Sequence, residues 1–242
     1  MTAVLSIGTT HPWNIAGVGL DLRIGAELGV DVLTVVCAVS AQDEDGVHAL
    51  ELLALDTIDA QLRTIPWKSV RAVRVGALGA PEIVELVATA LGRRDVPLVV
   101  DPVQAASAGG ALAGEGTLRA IAATLLALPQ TILTPNLHEA QTMLGRIIGR
   151  EQLAAAAAQL QAYGARAVLL KGGHLHGEPT DALADANGVE LFSAGRIDGE
   201  LRGTGCTLAM ALACALARGE GLRDAVRFAR GFVRDKIAQA NP

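Results

Sequence analysis

Aromatic side chains are scarce in this sequence of 242 residues, which contains three phenylalanines, two tryptophans and one tyrosine. Hydrophobic residues nevertheless make up 51% of the chain. A chain of this length can bury a sizeable core, which here must consist of aliphatic side chains. The sequence contains no linker, low-complexity tract or internal repeat, so we expect residues 1–242 to form one domain.

Cysteine is also rare. The three cysteines, Cys37, Cys206 and Cys214, lack the paired spacing of a disulfide framework or of a zinc site. Their pattern fits a protein of the reducing cytoplasm. His174 and His176 lie two residues apart, but no third ligand accompanies them, so we expect no metal site there.

Long hydrophobic runs are missing as well. No stretch approaches the roughly 20 apolar residues that span a membrane, and the start of the sequence has no basic segment typical of a signal peptide. The net charge of -5, without a basic stripe, argues against a nucleic-acid partner. The P-loop motif is absent, and "GVGLDL" at residues 17–22 lacks the third glycine of a dinucleotide-binding fingerprint.

Short apolar runs alternate with longer helical patterns along the chain. This alternation predicts an α/β fold in which a mostly parallel sheet is covered by helices on both faces. The predicted parallel strands are residues 4–8, 33–39, 73–78, 97–101, 131–136 and 167–173. The predicted helices are residues 16–29, 81–94, 115–128, 137–144, 151–163, 207–218 and 222–239. Residues 182–185 and 189–193 predict a β-hairpin.

Polar residues gather where the predicted strands end. Gly76, Asp101, Asn136 and Lys171 all fall at or just beyond the carboxyl end of a strand. Open parallel sheets bind their ligands along this edge, so we expect an enzyme. A carboxylate, a lysine and a glycine-rich helix start on one edge are typical of phosphoryl transfer, which depends on positioning and charge neutralisation.

Two of these segments have two interpretations each. "RGTGCT" at residues 202–207 is either a glycine turn beside a small buried thiol, or an anion-binding helix start with Cys206 as its reactive residue. Asn136 and Glu139 either cap the helix that they begin, or Glu139 faces a magnesium–phosphate cluster through water. The residues alone leave both alternatives open.

Four segments together resemble one enzyme family. They are "VPLVVDPV" (96–103), "LTPNLHEA" (133–140), "AVLLKGGHLHG" (167–177) and "RGTGCTLAMALACALARG" (202–219). The sequence resembles the hydroxymethylpyrimidine and phosphomethylpyrimidine kinases of thiamin biosynthesis, and the similarity extends from about residue 16 to residue 237. The resemblance implies a ribokinase-like α/β/α sandwich with a mostly parallel central sheet, and it implies ATP and Mg²⁺ as cofactors.

The resemblance also implies roles for residues at the expected phosphate site. Gly203, Thr204 and Gly205 would form an anion hole over the transferred phosphoryl group. Cys206 would accept the proton of the substrate hydroxyl, and a helix start favours the thiolate that this role needs.

Further residues are implied to hold the nucleotide and the metal ion. The nucleotide-binding residues would be Asp101, Asn136, Glu139, Lys171 and Gly172. Asp101 and Glu139 would serve the metal ion.

The substrate side of the site is implied in the same way. Gln42 matches the glutamine that hydrogen-bonds the aminopyrimidine ring, and Asp21, Ala77 and Val103 align with residues near the same pocket. Trp13 would bring a large ring to the pocket mouth, where it could stack on a substrate ring or fill its place.

The sequence departs from the family in one loop above all. The family has S-D-P-S-G-G-A-G where this chain has "THPWNIAG" at residues 10–17, so Asn14 and Ile15 replace two glycines. Asparagine tolerates a positive φ, whereas β-branched isoleucine scarcely does, and we therefore expect a different loop path. Ser107 replaces a family lysine, and Arg202 stands in the segment where the family has K-N-T-H before G-T-G-C.

The resemblance implies phosphorylation of 4-amino-5-hydroxymethyl-2-methylpyrimidine, of its monophosphate, or of both. A kinase for a related ring alcohol such as pyridoxal is one alternative. A paralogue that binds pyrimidine or nucleotide without turnover is another, and it would explain the altered loop. Family habit implies a homodimer.

Overall fold

A single mixed sheet organises the residues that the computed structural model describes, which are 2–173, 175, 177–197, 199 and 201–240. Its strand order is β3-β2-β1-β4-β5-β6-β7-β8-β9, and β2, β1, β4, β5, β6 and β7 run parallel to one another. The strands β3, β8 and β9 pair antiparallel at the two edges. His174 and His176 lie outside the described residues, so our expectation about them stays a prediction.

The bounds of the elements are as follows. The strands are β1 Ala3–Thr10, β2 Asp31–Gln42, β3 Val47–Leu52, β4 Val70–Val75, β5 Leu98–Val100, β6 Thr131–Leu133, β7 Ala167–Lys171, β8 Thr180–Asp185 and β9 Gly188–Ser193. The helices are α1 Gly17–Glu27, α2 Leu55–Thr64, α3 Pro81–Leu91, α4 Thr117–Ala123, α5 Leu137–Leu144, α6 Leu153–Gln161, α7 Thr204–Ala217 and α8 Leu222–Ala240.

Helices cover both faces of the sheet. The central strands β1, β5 and β6 are mostly apolar, as expected for strands with both faces buried. One hydrophobic cluster joins the sheet to α2, α3, α4, α5 and α6, and a second joins it to α1, α7 and α8. The predicted α/β/α sandwich with a mostly parallel central sheet is therefore confirmed.

Helix α7 is the most deeply buried of the three helices α1, α7 and α8. Eleven of its 14 residues are buried, and most of them are alanine or leucine. A helix that is apolar on all sides must be enclosed on all sides, and α7 packs against α1, α8 and the strands β1, β4 and β5. This enclosure fixes the start of α7 at the carboxyl edge of the sheet.

Two elements escaped the sequence-based prediction. The strand β3 has exposed or half-buried residues throughout, and α2 buries only Ile58 and Leu62. The strand β3 therefore lacks the apolar pattern that identifies a strand, and α2 has only a short apolar stripe of Leu55, Ile58 and Leu62. The strand β2 is also longer than predicted, because it continues to Gln42 to pair with β3. No described helix is both long and apolar enough to cross a membrane.

Candidate active site

The carboxyl ends of the parallel strands converge on the start of α7. Asp101 follows β5, Asn136 follows β6, and Lys171 ends β7. The Lys171 backbone N–H donates to the carbonyl oxygen of Pro135 at 2.9 Å, so the ends of β6 and β7 are joined there. The edge that the sequence singled out therefore brings together its carboxylate, its lysine and its glycine-rich helix start.

Close approach explains both glycines at the start of α7. Gly203 has a φ of 78°, and a Cβ at this position would collide with the carbonyl oxygen of Ile15. A Cβ on Gly205 would lie 3.3 Å from Lys171 Nζ. No side chain caps α7, so its first backbone N–H groups are available to an anion.

Asp101 lies between two cations at this edge. Lys171 Nζ donates to Asp101 Oδ1 at 2.9 Å, and Arg74 Nη2 donates to Asp101 Oδ2 at 3.2 Å. Burial lowers the pKa of Lys171, but Asp101 and Glu139 outweigh that effect and the pKa is raised. Lys171 is therefore a cation held in place before any phosphate binds.

Cys206 occupies the first turn of α7 among charged groups. Burial raises the pKa of its thiol, Arg74 opposes this rise, and Asp101 and Asp21 add to it. The Gly17 backbone N–H also donates to the sulfur and lowers the pKa. The helix start alone would favour the thiolate, but burial and the two carboxylates keep Cys206 protonated in the resting protein.

Asn136 and Glu139 form the capping box that one interpretation of the sequence predicted. The Glu139 backbone N–H donates to Asn136 Oδ1 at 2.8 Å, and the Asn136 backbone N–H donates to Glu139 Oε2 at 2.7 Å. Burial raises the pKa of Glu139 to about 7, while Lys171 opposes the rise and Asp101 adds to it. Within the described part of the chain, no group of three or more His, Cys, Asp or Glu side chains is placed to hold a metal ion by itself.

The altered loop, residues 10–17, lies against the start of α7. Asn14 has a φ of 51°, whereas Ile15 avoids the left-handed region, as expected for a β-branched residue. Buried His11 accepts a hydrogen bond at Nε2 from the Ala16 backbone N–H at 3.2 Å. Its Nδ1 is buried without a partner. His11 therefore fixes the turn in the loop.

Among the predicted substrate residues, Gln42 and Ala77 are buried, whereas Val103 and Trp13 are partly or largely exposed. Gln42 ends β2 and is 9% exposed, and its Oε1 is buried without a hydrogen-bond partner. Ala77 is buried beside β1, where its carbonyl oxygen accepts from Thr9 Oγ1 at 3.2 Å. Val103 is half-buried just after Asp101, and Trp13 is 51% exposed in the loop.

Asp21 differs from the other predicted substrate residues because it has no exposed surface. Its Oδ2 accepts from Ser6 Oγ at 2.6 Å and lies 3.2 Å from Arg74 Nη1. In this conformation its carboxylate faces the ion pairs beneath Cys206, and a contact with substrate stays a prediction.

The loop after β7 is held by a residue that the sequence did not single out. The Gly172 backbone N–H donates to Asp181 Oδ1 at 3.0 Å, and Asp181 Oδ2 pairs with Arg230 Nε of α8 at 2.8 Å. Asp181 is inconspicuous in the sequence because a single aspartate just before a predicted hairpin carries no motif.

Comparison with known proteins identifies the family. The sequence model of the phosphomethylpyrimidine kinase family matches residues 13–242. The chain belongs to the phosphomethylpyrimidine kinase family. A relative from Streptomyces coelicolor, named hydroxymethylpyrimidine/phosphomethylpyrimidine kinase, is 38% identical over 242 residues, which cover 99% of this chain and 90% of the relative. The predicted family and the predicted class of enzyme, a phosphotransferase, are confirmed.

Solved structures agree with this assignment. A phosphomethylpyrimidine kinase from Clostridium difficile superposes with a TM-score of 0.85 at 28% identity, covering 98% of this chain and all of that one. The pyridoxal kinase from Staphylococcus aureus, solved with AMP-PCP and pyridoxal, gives a TM-score of 0.87 at 28% identity, covering 98% of this chain and 88% of that one. The ribokinase-like fold is confirmed.

In this phosphomethylpyrimidine kinase homologue, a hydrogen bond of Arg202 joins two segments of the site. Arg202, which stands near the family's lysine position, donates from Nη2 to the carbonyl oxygen of Asp43 at 2.8 Å. This bond ties the start of α7 to the turn that follows Gln42. In the resting protein Arg202 therefore links two parts of the site.

Replacing Gly203 by alanine tests the contact between α7 and the loop. A left-handed φ costs a non-glycine residue about 1–2 kcal/mol, and the new methyl group must also displace Ile15. We expect Gly203→Ala to lower the free energy of unfolding by at least this amount in urea titrations. Displacement of the loop is expected to reduce kcat/KM on the order of 10²-fold.

Gly149→Ala is the matched control, because Gly149 has a negative φ and no neighbouring atom within 3.4 Å of an added Cβ. It is expected to preserve stability or to improve it slightly. Equal stabilities of the two variants would contradict the close packing of Ile15 on Gly203.

His11 makes stability depend on pH. Burial lowers the pKa of His11 below its ordinary value of 6.5, and the nearby charge of Arg202 lowers it further. As the pH falls through about 6.5, the unfolded chain binds a proton before the folded chain does, so the free energy of unfolding decreases. Urea titrations from pH 8 to pH 5 measure this decrease.

His11→Gln is the control, because its carbonyl oxygen can accept from Ala16 and does not titrate. This variant is expected to lose less stability than the wild type over the same pH range. A parallel pH dependence for both proteins would rule out His11 as the source.

Proposed function

We propose that this chain transfers the γ-phosphoryl group of ATP to 4-amino-5-hydroxymethyl-2-methylpyrimidine, to its monophosphate, or to both, in thiamin biosynthesis or salvage. The family supports this reaction, since the Streptomyces coelicolor relative bears the name of a hydroxymethylpyrimidine/phosphomethylpyrimidine kinase. Within this chain, the conformation of Gln42 is the observation that favours an aminopyrimidine.

Gln42 carries a buried carbonyl oxygen that needs a hydrogen-bond donor. Its Oε1 has no partner, and leaving such an atom buried and unpaired costs about 1–3 kcal/mol. The exocyclic amino group of the pyrimidine is a donor that satisfies it. Because β2 runs alongside β1, whose carboxyl end leads into the loop, Gln42 lies at the same edge as the anion hole.

In the proposed reaction the backbone of residues 203–205 binds the migrating phosphoryl group. The uncapped N–H groups at the start of α7 would donate to its oxygens, where negative charge is greatest. Lys171, at the end of β7, would neutralise the same negative charge. Asp101 holds the Lys171 ammonium group in position, and Gly172 lets the following backbone pass close to Thr180.

Cys206 would take the proton from the substrate hydroxyl as its oxygen attacks phosphorus. In that role the sulfur must be a thiolate, which Arg74 and the Gly17 N–H stabilise. Burial opposes this form in the resting protein. The resting thiol would first lose its proton to solvent; the hydroxyl proton then goes to the thiolate sulfur, the new O–P bond forms, and the bond to ADP breaks.

Magnesium fits this site through water and phosphate rather than through a cage of protein ligands. Both oxygens of Asp101 already face cations, and Glu139 retains one oxygen outside the capping box. Mg²⁺ commonly keeps several waters and uses one or two carboxylates together with substrate phosphates. When bound, the ion would neutralise phosphate charge, with Glu139 and Asp101 as the residues that hold it and Asn136 orienting Glu139.

A pyridoxal kinase is the second candidate. The Staphylococcus aureus enzyme that was solved with pyridoxal has a TM-score of 0.87 to this chain. The half-exposed Trp13 offers a stacking face to either ring. The buried oxygen of Gln42 requires a donor, which the amino group of the pyrimidine would supply as an N–H and the ring hydroxyl of pyridoxal as an O–H, so the assay below has to separate the two substrates.

We also propose a homodimer in a reducing, cytoplasmic compartment. The dimer rests on family habit alone. The compartment is supported by the three free cysteines, of which Cys206 must stay reduced to act as a base.

Removing the Gln42 side-chain amide tests the substrate. In an ATP-consumption assay, the wild type is expected to turn over hydroxymethylpyrimidine or its phosphate in preference to pyridoxal. Gln42→Leu should raise the KM for the pyrimidine on the order of tenfold to a hundredfold, with kcat much less affected, because a binding hydrogen bond is lost.

Gln104→Leu serves as the control, since the Gln104 side chain donates only to nearby backbone carbonyls. Preference for pyridoxal, with no effect of Gln42→Leu, would favour the second candidate. Tight binding without release of ADP for any substrate would refute the kinase proposal.

Replacing the Cys206 thiol tests the proposed base. Cys206→Ala is expected to reduce kcat by about 10²–10⁴-fold, the range for loss of a general base. The affinity for ATP should stay within a few-fold of the wild-type value.

Cys214→Ala is the matched control because Cys214 is buried in the same helix among apolar residues. It should retain a near-normal rate. A near-normal rate in Cys206→Ala would refute the role of Cys206.

A further inference from the structure

A buried guanidinium lies directly beneath the proposed phosphate site. Arg74 belongs to β4, "VRAVRV", and is 1% exposed among apolar neighbours. Arg71 of the same strand is exposed and donates to the carbonyl oxygen of Lys68. Burying a cation is costly unless it is paired, so the position of Arg74 calls for an explanation that Arg71 does not need.

Arg74 is held by carboxylates from two different elements. Nη1 lies 3.2 Å from Asp21 Oδ2 of α1, and Nη2 lies 3.2 Å from Asp101 Oδ2 after β5. Ser6 Oγ fixes the Asp21 carboxylate by donating to it at 2.6 Å. Gly76 leaves room for the guanidinium, because a Cβ there would collide with Nη1. The fold thus provides a fitted site for a planar, forked cation.

The same guanidinium is next to both reacting parts of the site. Asp101 receives Arg74 on one oxygen and Lys171 on the other, so Arg74 fixes the orientation of the carboxylate that holds the lysine. Arg74 also interacts with Cys206, and its charge favours the thiolate. Arg74 Nε and Nη1 are both buried without a hydrogen-bond partner, so the contact of Nη1 with Asp21 is an ion pair.

We propose that Arg74 is a positioning residue for phosphoryl transfer. It holds the Asp101 carboxylate that pairs with Lys171, and it interacts with the Cys206 sulfur at the start of α7. The inference rests on the proposed kinase function. A lysine could not replace it fully, because a single ammonium group cannot make the forked contacts to Asp21 and Asp101 at the same time. Arg74 acts through its neighbours and has no contact with substrate in this proposal.

Arg74→Lys, which retains the charge, is the main test variant, and Arg71→Lys on the exposed face of β4 is its matched control. We expect Arg74→Lys to lower kcat on the order of 10²-fold while the KM values for ATP and for the pyrimidine change less than about threefold. The control should retain wild-type values for all three. Wild-type kcat in Arg74→Lys, or a rise in KM for ATP with kcat preserved, would overturn the proposal.

A second measurement does not depend on turnover. Alkylation of Cys206 by iodoacetamide at fixed pH, followed by peptide mass mapping, reports how well its neighbours support the thiolate. We expect alkylation to slow at least tenfold in Arg74→Met and to keep its wild-type rate in Arg71→Met. An unchanged rate in a folded Arg74→Met would overturn the link between Arg74 and Cys206.

These two measurements separate failure of this inference from failure of the proposed function. If no substrate is phosphorylated, the kinase proposal fails while the alkylation rates still test Arg74. If Arg74→Met does not fold, Asp21→Asn loosens one side of the guanidinium while leaving Arg74 in place. That variant should lower kcat about tenfold at unchanged KM for ATP, and wild-type kcat would overturn the proposal.

Discussion

The pairing of Asp101 with buried Arg74 and partly buried Lys171 is the interaction on which the site depends. Asp101 follows a short central strand, and its carboxylate has a lysine on one side and an arginine on the other. Each charge would be costly to bury alone, and together they compensate one another. The strand ends, the start of α7 and helix α1 are therefore joined by electrostatics as well as by packing. A preorganised array of this kind stabilises charge that develops during a reaction without having to rearrange.

The alternation of apolar runs and helical patterns was sufficient to predict the central fold and to single out the carboxyl edge of the sheet as the candidate site. The buried parallel strands are mostly apolar runs, and the polar residues that end them stand out in the sequence. The segments β3 and α2 could not be predicted in this way, because they bury few side chains and owe their structure to pairing with β2 and packing on the sheet. The capping box of Asn136 and Glu139 was one of the two interpretations that the sequence allowed, since its partners are three residues apart.

Long-range pairing explains what the sequence did not reveal. Arg74 lies in an apolar strand, and its partners come from α1 and from the end of β5, so no local motif identifies it. An arginine inside an otherwise buried strand is nevertheless a signal, because the charge requires partners. Asp21 was expected near the substrate, and its burial beneath Cys206 became visible only when the tertiary contacts were known. Asp181 and His11 likewise act on backbone groups that the fold brings to them.

The hydrogen bond between the Gly172 N–H and Asp181 connects helix α8 to the loop after β7. Arg230 of α8 holds one oxygen of Asp181, and the other oxygen holds the backbone of the loop after β7. Loss of Arg230 would therefore release Asp181 from α8 and weaken the bond that holds the loop after β7. Helix α8 therefore does more than pack against α7. A chain shortened before Arg230 would lose this support for the loop after β7, which we propose contacts the phosphate donor.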